Sequence, residues 1–118
     1  MIYNVDHKLV RAVIDVESHG DHSLISKKGA IGLMQIKPKT AKELKIDPYK
    51  LEDNIKGGVL YLSKQLNRFN NIDHALAAYV SGPSTVIKHK GIPPYKSTKK
   101  YIKKVNEKYN KLIDYNIN

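Results

Sequence analysis

His7-Lys8-Leu9-Val10-Arg11-Ala12-Val13-Ile14-Asp15-Val16-Glu17-Ser18-His19-Gly20 reads as one amphipathic helix that ends on a carboxylate. Leu9, Val10, Val13 and Ile14 recur at the spacing of a single helical face, which predicts a helix over His7 to Ser18 with one buried stripe. Asp6 can accept from the first free amides, and Gly20 can stop the last turn. The stripe continues to position 17, so Glu17 falls on the buried side at the C-terminal end. Burial disfavours an ionised carboxylate, and so does the negative end of the helix dipole. Both push Glu17 towards holding a proton near neutral pH, which is the condition a general acid requires. The competing assignment is a Glu at a helix end that faces water.

Four more segments read as helices further along the chain. Pro38 starts a short one through Leu44. Asn54 to Phe69 carries Ile55, Val59, Leu62, Leu66 and Phe69 on one stripe, with Asp53 as its expected cap. Asp73 to Tyr79 is short and Ala-rich, and Ser81-Gly82-Pro83 ends it, with Pro83 able to open a further turn through Ile87. Ser97 to Asp114 places Tyr101, Ile102, Val105, Tyr109, Leu112 and Ile113 inward. Ser26 to Ile36 differs: Gly29 and Gly32 interrupt the apolar run Ala30-Ile31-Gly32-Leu33-Met34, which suggests close backbone approach in a small hairpin. The expected fold is a mainly α, compact helical domain, with at most a small sheet around residues 26–36. The 118 residues allow one domain, 1–118, and not two.

Composition narrows the chemistry. There is no Cys, which excludes a disulfide, a Cys nucleophile and a Cys-ligated zinc. No apolar stretch approaches the length of a membrane span. The N-terminus Met1-Ile-Tyr-Asn-Val-Asp-His-Lys has no apolar signal core after a basic start. The formal net charge is +10 and comes almost wholly from Lys. Residues 88–118 hold nine Lys against Glu107 and Asp114, an excess of seven positive charges. Such a face concentrates polyanions, whether nucleic acid, anionic lipid or anionic cell wall. Specific DNA readers favour Arg for bidentate contact with guanine, so a Lys excess argues against base readout.

Four motifs occur in a telling order. Val16-Glu17-Ser18-His19-Gly20 is followed by Ser26-Lys27-Lys28-Gly29-Ala30-Ile31-Gly32-Leu33-Met34-Gln35-Ile36. Ala77-Ala78-Tyr79-Val80-Ser81-Gly82-Pro83 comes next, and Thr98-Lys99-Lys100-Tyr101-Ile102-Lys103-Lys104-Val105 last. This order resembles the lytic transglycosylases of the soluble Slt type, relatives of goose-type lysozyme, over about residues 7–106. The resemblance implies a lysozyme-like fold and cleavage of the glycan strands of bacterial peptidoglycan. It implies that Glu17 is the sole catalytic carboxylate. Glu17 would protonate the bond between N-acetylmuramic acid and N-acetylglucosamine, then take the proton of the muramic 6-hydroxyl as a 1,6-anhydro ring closes. It places Gln35 in the wall of the sugar cleft and Ser26 against the N-acetyl group. Tyr79 would contact sugar, and Tyr101 would approach Glu17. For Ser26 a plain loop role competes, and for Tyr101 a core role. One departure stands out: Val80 occupies the place of the family's Asn and cannot supply its amide hydrogen bonds.

The resemblance further implies no cofactor, a monomer, and a place in the periplasm or bacterial cell envelope. Peptidoglycan strands are the expected partner, with anionic wall polymers as a further one for the Lys-rich end and no specific nucleic acid. A two-carboxylate glycosidase needs a second acid facing the first. Asp15 points to another helix face, and Asp21 lies on a loop where a turn role is expected. His19 and His22 are thin evidence for a metal pair, and no metal is expected. Gly57-Gly58 inside the long helix is expected to permit close helix packing. The alternative functions are a hydrolase using water, a non-catalytic wall-binding module, and a basic nucleic-acid-binding protein.

Overall fold

The computed structural model describes residues 4–117, with side chains described through residue 114. Six helices follow one another: α1 His7–Ser18, α2 Pro38–Leu44, α3 Leu51–Phe69, α4 Ile72–Ser81, α5 Pro83–His89 and α6 Lys96–Ile117. The Asp6 carboxylate caps α1 by accepting from the Lys8 amide at 2.9 Å. At its other end His19 takes the left-handed conformation and donates back to the Asp15 carbonyl, one residue before the expected Gly20. The buried Ser18 hydroxyl donates to the Ile14 carbonyl at 3.2 Å and accepts from the Gly20 amide at 3.2 Å, closing the turn beside Glu17.

Helix α4 is the centre of the molecule. Ala75, Leu76, Ala77, Ala78 and Tyr79 are all buried, so this short helix is apolar on nearly every side. Helices α3, α5 and α6 pack on it, and α1 packs on α6. Met34, Leu62, Leu76, Val13, Val86 and Val105 fill the interior between them. Two ties fix α6 from outside the core: the Tyr109 hydroxyl donates to Asp6 at 2.7 Å, and the Asn106 amide donates to Asp73 at 2.8 Å. Among the described residues no helix is long and apolar enough to cross a membrane.

One expectation is corrected. Helix α3 starts at Leu51, three residues early, and Asp53 does not cap it. The Asp53 carboxylate instead accepts from the Asp47 amide at 3.0 Å, bracing the turn that leads into α3. Residues 26–36 stay within the expected limit of at most a small sheet: they form no strand, only single antiparallel bridges, Ile25 with Ile31 and Ile31 with Ile36. Glycines at positive φ turn the chain on each side of Ile31, Gly29 at +87° before it and Gly32 at +77° after it, so neither bridge extends into a ladder. The turn at Gly32 also sinks Met34 completely into the core.

The glycine pair of α3 does permit close packing, though of side chains and not of a second helix. A Cβ at Gly58 would run into Met34, and one at Gly57 into Ile46. Nearby, Asn54 is wholly buried and fully used. Its Oδ1 accepts from the Met34 amide at 2.9 Å, and its Nδ2 donates to the Ile31 and Pro48 carbonyls at 2.8 and 2.9 Å. The His22 ring adds a second brace. Its Nδ1 accepts from the Leu33 amide at 3.2 Å, which leaves Nε2–H to donate to the Tyr49 carbonyl at 2.8 Å. Both ring nitrogens are therefore engaged in holding the loop 22–36 against the start of α3.

Candidate active site

These braces present one wall of an open cleft of about 530 Å³. Glu17 stands at its base, at the end of α1. Ser26, Lys28, Ala30, Gln35 and Ile36 come from the braced loop, and Lys37 and Thr40 from the start of α2. Tyr61 of α3 joins them. Tyr79, Val80, Ser81 and Gly82 at the end of α4, then Tyr95, Ser97 and Thr98 at the start of α6, form the facing wall. The Ser81 and Thr98 hydroxyls meet at 2.6 Å and lock α4 to α6 there.

Glu17 is half-buried, and burial raises its pKa from 4.5 to about 7. Two nearby groups oppose that shift without cancelling it. The Tyr101 hydroxyl leans on the carboxyl, and the Lys37 ammonium attracts its charge. Tyr101 is buried behind Glu17, and its hydroxyl meets no partner in full hydrogen-bond geometry. Burial, together with the Glu17 charge, pushes the Tyr101 phenol well above its ordinary pKa, so it stays an O–H facing the carboxyl. The result is a carboxyl that exchanges its proton near neutrality. Among the described residues it is the only carboxyl in the cleft wall. Asp15 belongs to a separate groove with His19, Lys104 and Lys108. Asp21 is exposed and closes its own turn, accepting from the Ser23 amide and hydroxyl at 2.9 and 2.6 Å, which lowers its pKa.

The structure brings Glu17, Ser26, Gln35 and Tyr79 to one cleft, with Tyr101 directly behind. Each polar group is partly committed. The Ser26 hydroxyl accepts from the Ala30 amide at 3.0 Å. Gln35, at φ +51°, donates its Nε2 to the Leu24 and Gly32 carbonyls at 3.1 and 3.0 Å, which leaves Oε1 as the atom it can offer. The Tyr79 hydroxyl donates to the Met34 carbonyl at 2.7 Å, and its ring lies 5.5 Å from that of Tyr61 at 58°. Val80 lines the cleft half-buried, so the amide missing from this chain would have faced the groove. Lys28, Lys37, Tyr61 and Tyr95 belong to the wall but were not singled out from the sequence. Each sits in a different local pattern, and only the tertiary fold brings them together.

The family model of the transglycosylase SLT domain matches residues 1–102. The chain belongs to this family. The SLT domain described here is 42% identical over 81 residues to the transglycosylase of Enterobacteria phage PRD1, a match that takes in 68% of this chain and 31% of that one. It is 35% identical over 134 residues to the membrane-bound lytic murein transglycosylase E of Buchnera aphidicola subsp. Baizongia pistaciae, spanning 96% of this chain and 61% of that one. The 70 kDa soluble lytic transglycosylase of Escherichia coli superposes with a TM-score of 0.79 at 28% identity, over 93% of this chain and 22% of that one. The lytic transglycosylase Slt of Pseudomonas aeruginosa superposes at 0.80 with 24% identity, a likeness of fold. This SLT domain thus spans about a third or less of the phage and Escherichia coli proteins. The mainly helical, lysozyme-like fold expected from the sequence is the fold found.

Proposed function

We propose that this SLT domain, as one unit over residues 1–118, is a peptidoglycan lytic transglycosylase. It cleaves the β-1,4 bond from N-acetylmuramic acid to N-acetylglucosamine without water. The observation that carries this is Glu17, the one cleft carboxyl among the described residues, poised to exchange its proton at about pH 7. Protonated Glu17 gives its proton to the glycosidic oxygen, and the N-acetylglucosamine leaves as an alcohol. The acetamido oxygen of the muramic residue attacks the anomeric carbon from the other face, so no second carboxylate is needed. Glu17, now ionised, takes the proton of the muramic 6-hydroxyl. The 6-oxygen displaces the acetamido oxygen and closes the 1,6-anhydro ring, and Glu17 returns to its acid form. The Tyr101 O–H can donate to Glu17 in its ionised phase. Ser26, Gln35 and Tyr79 hold the strand, with Tyr79 offering ring and not hydroxyl.

The matched relatives carry murein transglycosylase names, which supports the same substrate and a cell-envelope setting. Mass spectrometry of muropeptides released from purified peptidoglycan tests the reaction. Products ending in 1,6-anhydro-muramic acid are expected; reducing ends that incorporate water would instead mark a hydrolase. The Lys-rich face of α6 is proposed as a second contact, with anionic wall polymers.

A further inference from the structure

Three side chains from three parts of the fold pin the turn 32–35 that carries Gln35. The Asn54 amide oxygen accepts from the Met34 amide, the Tyr79 hydroxyl donates to the Met34 carbonyl, and His22 Nδ1 accepts from the Leu33 amide at 3.2 Å. His22 makes a demand that the other two do not. A backbone amide can only donate and a carbonyl can only accept, so Nδ1 must be bare towards Leu33 and Nε2 must carry its hydrogen towards Tyr49. One neutral tautomer meets both conditions. A proton on Nδ1 would set two donors against each other. The ring also lies against Gly32, where a Cβ would come within 2.6 Å of it, so the imidazole touches the turn directly. Histidine changes charge between about pH 5 and 8. The Asn54 amide does not titrate, and burial holds the Tyr79 phenol well above its ordinary value.

The charged groups around the ring come from two places. Asp21 precedes it and is turned onto Ser23. On the turn into α3, Asp47 accepts from the Tyr49 amide and Asp53 from the Asp47 amide, with Lys50 and Glu52 exposed beside them. Residues 31–36 and Asn54 present no charge. We propose that His22 is a positioning residue: neutral, it seats Gln35 for the sugar strand, and protonated, it releases the turn 32–35. The role rests on the function proposed above and adds an acid limit to it. Glu17 supplies no such limit, because the acid form that starts the reaction only fills as pH falls. The two groups have opposite requirements, so the activity profile is bell-shaped. Release of one hydrogen bond leaves the acid in place, so activity at low pH should settle on a plateau roughly threefold to tenfold down, mainly through KM.

Initial rates from about pH 5 to 8 test this on glycan strands stripped of peptide with an amidase, whose carboxyls titrate near ~4, below that range. The unsubstituted chain should lose activity on the acid side. His22→Asn places an amide oxygen where Nδ1 stood and does not titrate; it should hold its pH 7 rate down to pH 5. His22→Phe keeps the ring without the acceptor and should show the low plateau and raised KM throughout. His19→Asn and His89→Asn, at exposed sites, should keep the acid-side loss. In amide NMR spectra the Leu33 backbone and Gln35 side-chain signals should move with the His22 titration. Acid-side loss that is missing from the unsubstituted chain, that persists in His22→Asn, or that vanishes in either control overturns the role. Leu33 and Gln35 signals that ignore the His22 titration overturn it as well. Cleavage at no pH overturns the proposed function and this role with it, and the pH 7 rate tells that outcome from the others.

Discussion

At the scale of the residue, Glu17 carries a cost that its neutral isostere does not. Its folded pKa of about 7 stands above the ordinary 4.5 because burial penalises the charge. The folded chain therefore holds a proton that the unfolded chain releases between those two values. Stability linked to Glu17 is fully present below the unfolded value and is lost as pH rises through the folded one. The difference amounts to about 3 kcal/mol, as an order of magnitude. Glu17→Gln keeps the shape without the titration. Relative to the unsubstituted chain its thermal stability should rise between about pH 4.5 and 7 and level off above that, while peptidoglycan cleavage falls by at least about 10²–10⁴-fold. Melting curves across pH and a turbidity assay check both; wild-type clearing by the variant would dismiss Glu17 as the acid. Activity of the unsubstituted chain should decline above about pH 7, where the acid form empties. Tyr79→Phe probes a different mixture. Its hydroxyl is bound to the buried Met34 carbonyl, so the loss should appear in stability, at about 1–2 kcal/mol. A loss of activity with no change in denaturation midpoint would show that the hydroxyl serves the substrate instead.

At the scale of the element, α3 shows what a sequence pattern conveys and what it leaves out. Its inward stripe is periodic, so its body and its end at Phe69 were legible. Its first turn was not, because Leu51 is exposed and stands outside the stripe, and because Asp53 looks like a cap while bracing Asp47. In the sequence Asn54 marks only a helix start; nothing local says that its amide will hold Ile31, Met34 and Pro48 together. Glu17 was legible because its helix face could be counted, and Gln35 and Tyr79 through motif resemblance. Lys28 and Lys37 were not, since the cleft that joins them is a tertiary product. The glycine pair of α3 yields a sharp contrast. Ala at either position gains about 1 kcal/mol of helix propensity. At Gly57 the new methyl meets the flexible tip of the half-buried Ile46, so Gly57→Ala should be close to neutral. At Gly58 it meets Met34, which has no room to move, and overpacking of this kind costs about 1–3 kcal/mol. Gly58→Ala should therefore lower the denaturation midpoint, and by shifting Met34 it should disturb Gln35 and lower activity as well. Equal midpoints for the two variants would mean that the loop under α3 is softer than its hydrogen bonds suggest.

At the scale of the whole molecule, charge and cleft are arranged along one helix. The start of α6 contributes Ser97 and Thr98 to the cleft, and Lys99, Lys100, Lys103, Lys104, Lys108 and Lys111 continue from there, all exposed. The buried Tyr101, Ile102 and Val105 face the other way, so the helix divides cleanly into a packed side and a basic one. Attraction from such a face acts beyond contact but is screened over about 8 Å at physiological ionic strength. A bacterial wall is a polyanion of far greater extent than the cleft, so a basic face leading away from the cleft edge fits the proposed contact with anionic wall polymers. Reversing Lys99, Lys103 and Lys111 to Glu should then reduce co-sedimentation with intact walls at low salt, and the difference should fade as salt is added. Cleavage of a short neutral chitin-type oligomer should change much less, because that substrate is too small to reach along α6 and carries no charge to attract. The contrast between substrates decides the matter. Equal losses on both would mean that the charge reversals have disturbed the Ser81–Thr98 lock and the cleft itself. No loss on either would leave the lysines as a solvated surface, with retention on the wall coming from the cleft alone.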